Sequence, residues 1–412
     1  MPYRVTYIHT SQRHLRPIGV TATQVIERVR VLSDLCPVRF ISVEAEPLER
    51  DWAEVFPEDC IEARTVSAAG MGGQKSLLLP GNRTAREIAD LLTATPPEAL
   101  DILHCRSHWS ALVGMQVSRE MRARGRRAAM VYDMEGVAAE EARYAASMAG
   151  EGGLKSRLRT SFIHHIEQKG LRAADRVVAV SANMREFIAV EYGVPRNRVG
   201  VVQSTTNRDI FFIDPDAGAA AREELEIAAD ATVVMYNGSF APYQRPDLFM
   251  RLFGEVLTVN PDAILLIVSR QAERARELVA GAGLPEASTR LTSTEYDQMR
   301  RYLNAADWGI CLRDDDIVNR AASPTKVAEY LCCGTPVVVT PWVGDYADLA
   351  TTEDLGIVID AQAPETEAVT AIAAQPPDER KERCAEWAAA NLTHQSALST
   401  YRRIYEKLLD GA

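Results

Sequence analysis

Ser323-Pro-Thr-Lys-Val-Ala-Glu-Tyr-Leu-Cys-Cys-Gly-Thr-Pro-Val-Val-Val-Thr340 reads as a short helix handed over to a buried strand. Serine at an N-cap, proline at the first helical position and Gly334 just past the end delimit a helix over 324–333. The run from Pro336 to Thr340 is apolar and β-branched, as suits a strand covered on both faces. A helix joined so closely to such a strand is part of a repeating βα pattern.

The same rhythm extends outward in both directions. Strand-like runs stand at 4–9, 38–43, 101–105, 128–133 and 176–181 in the first half, and at 232–238, 263–269, 308–313, 336–340 and 355–360 in the second. At 412 residues the chain exceeds the size at which one core keeps growing. Two Rossmann-like, doubly wound α/β domains facing across a cleft follow. The expected boundaries are 1–205 and 206–390, with a linker near 204–218 where Asp and Pro interrupt the pattern. Residues 378–410 read as two helices carrying Trp387, Tyr401 and Tyr405. This tail either caps the second domain or, from 391 to 412, crosses back to the first.

Composition excludes several classes. Apolar residues make up 47% and charged residues 25%, and no apolar run reaches the roughly 20 residues of a membrane span. The N-terminus enters a strand pattern without the marks of a signal peptide, so a cytoplasmic location is expected. Seven scattered cysteines show no zinc-ligand spacing, and the adjacent Cys332 and Cys333 read as core residues rather than a redox pair. A net charge of −11 argues against nucleic acid. The basic run at 124–127 reads as the cationic end of a helix.

Within the quoted stretch, Val327, Tyr330 and Leu331 form an apolar face, while Glu329 shares the other side with Thr325, Lys326 and Cys333. By this pattern Glu329 is not a core residue. The helix amino end suits a phosphate, and Lys326 adds a point charge. Glu329 lies about 4–5 Å further along the axis at about 1.5 Å per residue, the step from a pyrophosphate to its ribose, whose hydroxyls a carboxylate can accept. The alternative is a solvent-facing helix with a Lys326–Glu329 ion pair. Spacing alone does not choose between them.

The pattern Ser323-Pro-Thr-Lys-x-x-Glu329-Tyr-Leu-x-x-Gly334-Thr-Pro, preceded by Asn304-Ala-Ala-Asp307-Trp-Gly and Asn319, resembles the donor-binding signature of retaining glycosyltransferases of family 4. Other segments resemble that family in the same order: Arg106-Ser107, Tyr132 to Gly136, Ala174 to Ser181, and Tyr236 to Arg245. The resemblance implies the two-domain GT-B fold and transfer of a sugar, with retention, from a UDP-, GDP- or ADP-linked donor. The implied acceptor is a glycan, lipid-linked or small molecule. It places the donor on Gly238, Ser239, Gln244, Arg245, Ser323, Thr325, Lys326 and Glu329. No other cofactor is implied, and no metal, since helix dipoles and cations can neutralise the departing diphosphate.

The departures from the family pattern are specific. Many members carry a further glutamate eight positions before Glu329, where Ala321 stands. Many also carry arginine and lysine at the positions of Ser239 and Gln244, and here Arg245 and Lys326 are the available substitutes. The absence of GxGxxG after the first strand and after Gly238 argues against a nicotinamide enzyme. A binding or scaffold protein that has lost catalysis remains open, and a sugar-nucleotide epimerase or phosphorylase is a weaker alternative.

Ligands of doubly wound sheets sit beyond the carboxyl ends of strands, which directs attention to Asp133, Glu135 and His108 as catalytic or acceptor-side candidates. Asp133 matches the family pattern; its alternative is an acid capping the next helix. Glu135 stands where the family commonly has arginine. Glu140 and Glu141 read as a solvated helix face. His164 and His165 lie in a basic amphipathic stretch, Lys155 to Arg172, in which Leu158, Phe162 and Ile166 are expected to point inward. Core packing is one reading of that stretch. Peripheral contact with the inner membrane face is the other. In the loop from Ser11 to Val20, Arg13 and Arg16 are weaker candidates for the donor phosphates.

Overall fold

The computed structural model describes residues 2–11, 20–45, 51–68, 83–94, 99–360 and 362–409. The chain forms two units: Met1–Val202 with Ala397–Ala412, and Gln203–Ser396. Each is a parallel sheet flanked by helices.

The first unit contains β1 (Tyr3–Ser11), β2 (Val38–Glu44), β3 (Ile61–Ser67), β4 (Leu100–Arg106), β5 (Ala128–Met134), β6 (Arg176–Ala179) and β7 (Val199–Val201), in the order β3-β2-β1-β4-β5-β6-β7. The second contains β8 (Val233–Asn237), β9 (Ile264–Val268), β10 (Thr289–Thr292), β11 (Trp308–Cys311), β12 (Val337–Val339) and β13 (Gly356–Val358), in the order β10-β9-β8-β11-β12-β13. Each order reverses once, between β1 and β4 in the first sheet and between β8 and β11 in the second. Those are the switch points at which doubly wound sheets open a crevice for ligands.

Alternation in the second sheet shows why its strands are so uniformly apolar. Val233 and Met235 of β8 join one core cluster with Val337 and Val339 of β12, while Val234 and Tyr236 join a second with Val338. Successive side chains point to opposite faces, and both faces are covered by helices. Three strands have no counterpart among the apolar runs of the sequence: β3, β7 and β10. All three are sheet edges. β3 has only two buried positions, Ile61 and Val66, and β10 has a single buried residue, so neither presents a continuous apolar run.

The tail forms helices Asp378–Asn391 and His394–Leu409. The second of these belongs to the first unit from Ala397 onward, with Tyr401 and Tyr405 in that unit's core beside Tyr3, Tyr7 and Val5. Among the described residues no helix is long and apolar enough to cross a membrane.

Candidate functional site

In the second unit, β8 ends at Asn237 and the chain turns through Gly238 at φ 122°, a conformation open to glycine and strained for other residues. Helix Thr325–Cys332 packs over this strand end, fixed by Tyr330. The Tyr330 ring lies against Gly309 of β11, where a Cβ would meet it at 2.5 Å. Its hydroxyl accepts the Asn237 N–H at 3.2 Å and lies 3.2 Å from the Met235 carbonyl, to which it donates. The quoted helix therefore stands at the β8/β11 switch point.

One turn before Tyr330, the Lys326 ammonium donates to the Asn237 carbonyl at 2.7 Å and to Gln244 Oε1 at 3.1 Å, and lies 4.3 Å from the centre of the Tyr236 ring. A Cβ at position 238 would stand 3.3 Å from this ammonium, so glycine there keeps its approach open. Burial lowers Lys326 to about 8. Glu329 is 7% exposed and accepts one long hydrogen bond, from Asn237 Nδ2 at 3.4 Å. It forms no ion pair among the described residues. Burial pushes its carboxyl up to about 7, against the opposing pull of Lys326 and Asn237. Asn237 Oδ1 is itself buried without a partner. A carboxylate with unused acceptor capacity, an orphaned amide oxygen and a cation one helical turn away form a site suited to vicinal hydroxyls beside a phosphate.

Several local expectations are corrected here. Glu329 is buried, because the helix face opposite Val327 and Leu331 meets the end of β8 rather than solvent. The helix begins at Thr325 with Pro324 as its N-cap, and Ser323 does not cap it. The Ser323 hydroxyl instead accepts the Ser204 N–H at 3.0 Å. Thr325 is half-buried at the first helical position. Gln244 is buried against Lys326, whereas Ser239 is exposed and its carbonyl accepts the Tyr236 hydroxyl at 2.5 Å. Arg245 is engaged by Asp247 at 2.7 Å and Asp314 at 3.8 Å, whereas Lys326 makes no ion pair among the described residues. Ala321, in the position of the missing glutamate, is 1% exposed.

In the first unit, Asp133 near the end of β5 is 1% exposed. His104 joins it to the C-terminal helix: Nε2 is 3.2 Å from Asp133 Oδ2, and Nδ1 is 2.8 Å from the Tyr405 hydroxyl. Burial pushes the Asp133 carboxyl up, but His104, Arg28 and Arg106 outweigh it and hold it at about 2. Asp133 does not cap the following helix, whose N-cap is Val137. Glu135 pairs with Arg106, and burial keeps its carboxyl above the usual range. His108 lies in the first turn of helix Ser107–Ala123, 5.6 Å from Trp109 between ring centres, and burial lowers it to about 4, so it is neutral near pH 7. Glu140 pairs with Arg143. Arg13 and Arg16 lie outside the described residues. At the switch point itself, Thr10 Oγ1 lies 3.1 Å from Ser110 Oγ and 3.4 Å from Ser107 Oγ, and buried His9 has no partner for Nδ1.

Two family models match the chain: "Glycosyl transferase 4-like domain" over residues 7–204 and "Glycosyl transferases group 1" over 219–390. This chain belongs to the glycosyltransferases of GT-B fold. Curated relatives of the chain include D-inositol 3-phosphate glycosyltransferase from Geodermatophilus obscurus, 28% identical over 42% of the chain and 39% of the relative. The corresponding protein of Thermobispora bispora is 32% identical over 30% of the chain and 26% of the relative. The chain thus spans less than half the length of these relatives. Among solved structures, Anabaena HepE in complex with UDP has a TM-score of 0.66 at 13% identity, covering 99% of this chain and all of that one. Sucrose-phosphate synthase of Thermosynechococcus elongatus has the same TM-score at 17% identity, with the same coverage.

Three residues beside the switch points escape sequence reasoning: Asn237, Arg313 and His9. Asn237 ends β8, Arg313 follows β11 by two residues, and His9 lies near the end of β1, so all three flank switch points. Arg313 is buried, with its guanidinium 5.4 Å from the centre of the Tyr243 ring. The strand-end rule, applied to each predicted strand, would have found them.

Proposed function

We propose that the chain transfers a sugar from a nucleotide-diphosphate sugar to an acceptor hydroxyl with retention at the anomeric carbon. The observation that carries this reading is the Glu329 carboxylate, held at the β8/β11 switch point with one weak hydrogen bond and no ion pair among the described residues. Glu329 and Asn237 receive the ribose hydroxyls. Lys326, Gly238 and the first-turn amides of helix Thr325–Cys332 receive the diphosphate. HepE, which shares the fold, was solved with UDP and with UDP-glucose, in keeping with such a donor.

The chemistry asks little of the protein covalently. The departing phosphate oxygen takes the acceptor proton as the sugar passes through an oxocarbenium-like state, and fixed dipoles with Lys326 stabilise the charge that develops on the diphosphate. No divalent ion is required in this scheme, so activity should persist in EDTA. The acceptor falls to the first unit, where the hydroxyls of Thr10, Ser107 and Ser110 meet at the β1/β4 switch point. Incubation with UDP-, GDP- and ADP-sugars and a panel of acceptors, with anomeric analysis of product by NMR, tests this reading. Products of inverted configuration, or nucleotide-sugar hydrolysis alone, would overturn it.

One observation favours a peripheral contact with an anionic lipid surface. On helix Leu154–Ala173, Leu154 is 74% exposed, Leu158 62% and Phe162 40%, contrary to the inward direction expected for Leu158 and Phe162, whereas Ile166 is buried as expected. These three follow one helical face beside the exposed Lys155, Arg157 and Arg159. Co-sedimentation with anionic vesicles should be lost in a Leu154→Asp, Leu158→Asp variant; unchanged sedimentation would exclude this surface.

A further inference from the structure

The first unit carries a second concentration of charge at the opposite, amino-terminal ends of its strands. Two adjoining cavities, of about 460 and 400 Å³, share Met115, Arg119, Arg172 and Ala173. They lie along the carboxyl-terminal parts of helices Ser107–Ala123 and Leu154–Ala173. Arg122 and Arg198 line the larger cavity and Lys169 the smaller. The larger cavity has four guanidinium groups and one carboxylate, Asp175, which is already engaged by the Met130 N–H at 2.8 Å and by Arg122 at 3.4 Å.

The cations divide into two kinds. Arg122 donates to the Ala128 carbonyl and Arg198 to the Ala174 carbonyl, so both are committed to the fold. Arg119, Lys169 and Arg172 are exposed and make no ion pair or side-chain hydrogen bond among the described residues. Arg172, in the last turn of its helix, complements the helix dipole, an effect that fades beyond that turn. Arg119 and Lys169 stand a turn or so further in. In a chain of net charge −11, three like charges converge on one hollow whose single lining carboxylate, Asp175, is already engaged by Arg122.

We infer that this hollow is a binding site for a compact multivalent anion bearing two or more phosphate groups, separate from the donor site at β8 and β11. Arg119 and Arg172 supply forked donors from opposite helices, Lys169 adds a point charge, and Met115 and Ala173 form an apolar floor. The cavity is of ordinary small-ligand size. The phosphates come either from a soluble polyphosphorylated compound or from a lipid headgroup.

The full chain should be titrated calorimetrically with sodium tripolyphosphate and, separately, with vesicles containing phosphatidic acid. Each titration is repeated with Arg119→Ala/Lys169→Ala/Arg172→Ala, whose exposed sites leave folding intact, and with Lys326→Ala as a donor-site control. Saturable binding in either arm that weakens at least about tenfold in the triple variant and survives in Lys326→Ala sustains the inference. The arm that responds names the source. No binding in either arm, equal binding by the triple variant, or loss only in Lys326→Ala overturns it.

Discussion

The Lys326 ammonium lies 2.7 Å from the Asn237 carbonyl, and the Asn237 side-chain amide lies 3.4 Å from the Glu329 carboxylate. One strand-end residue thus contacts both a half-buried cation and a buried acid. Burial disfavours the charged form of each, raising the Glu329 carboxyl and lowering the Lys326 ammonium.

This arrangement predicts a conflict between stability and function at Glu329. A carboxyl raised to about 7 contributes stability when neutral, fully present below its ordinary range near 4.5 and lost as pH rises through 7. Glu329→Gln should therefore stabilise the ligand-free protein at pH 8 by up to about 3 kcal/mol, and have little effect at pH 4.5. Urea unfolding at the two pH values measures the difference. An equal effect at both would show that the residue does not titrate as described.

Nucleotide affinity should have a narrow optimum. Binding needs Glu329 ionised to accept hydroxyls and Lys326 protonated to meet phosphate, so the favourable window lies between about 7 and about 8, with loss on both sides. Titrations of UDP from pH 6 to 9 would reveal it. Lys326→Ala should remove the alkaline limb and cost about 10- to 100-fold in affinity, as expected for one charged hydrogen bond. Arg245→Ala should cost far less, since Asp247 and Asp314 already occupy that side chain.

Gly238 should resist replacement. At φ 122°, with the Lys326 ammonium 3.3 Å from any added Cβ, Gly238→Ala should destabilise the second unit by roughly 1–3 kcal/mol and weaken diphosphate binding as well. Thermal unfolding with and without UDP reads both effects.

Asp133 should prove to be a keystone of stability. Removing its charge leaves Arg28 and Arg106 buried with less compensation, so Asp133→Asn should cost roughly 3–5 kcal/mol. Its carboxyl, held at about 2, contributes stability present above its ordinary value near 3.8 and lost as pH falls through 2, so the variant should flatten the acid limb of unfolding. A fully stable variant with no activity would instead make Asp133 catalytic.

The central strands were legible because double coverage writes itself as uninterrupted apolar runs, as in Val233–Asn237 and Val337–Val339. Edges such as Thr289–Thr292 carry no such mark, being half exposed. The motif helix was legible from Pro324 and Gly334, but the burial of Glu329 was not, since helical periodicity shows which residues share a face and not what that face meets. Leu158 and Phe162 misled for the same reason: an apolar stripe does not declare whether a neighbour covers it. Asn237 and Arg313 drew no notice because their importance lies in adjacency across β8 and β11, which spacing along the chain does not record.

The central claim is that Glu329 receives the ribose of a nucleotide at the β8/β11 switch point. Calorimetric titration of UDP, GDP and ADP into the wild-type protein and Glu329→Ala tests it most directly. Saturable binding of at least one nucleotide to the wild type, lost or weakened more than about tenfold in the variant, is the predicted result. Binding of equal strength to both proteins, or to neither, would contradict it.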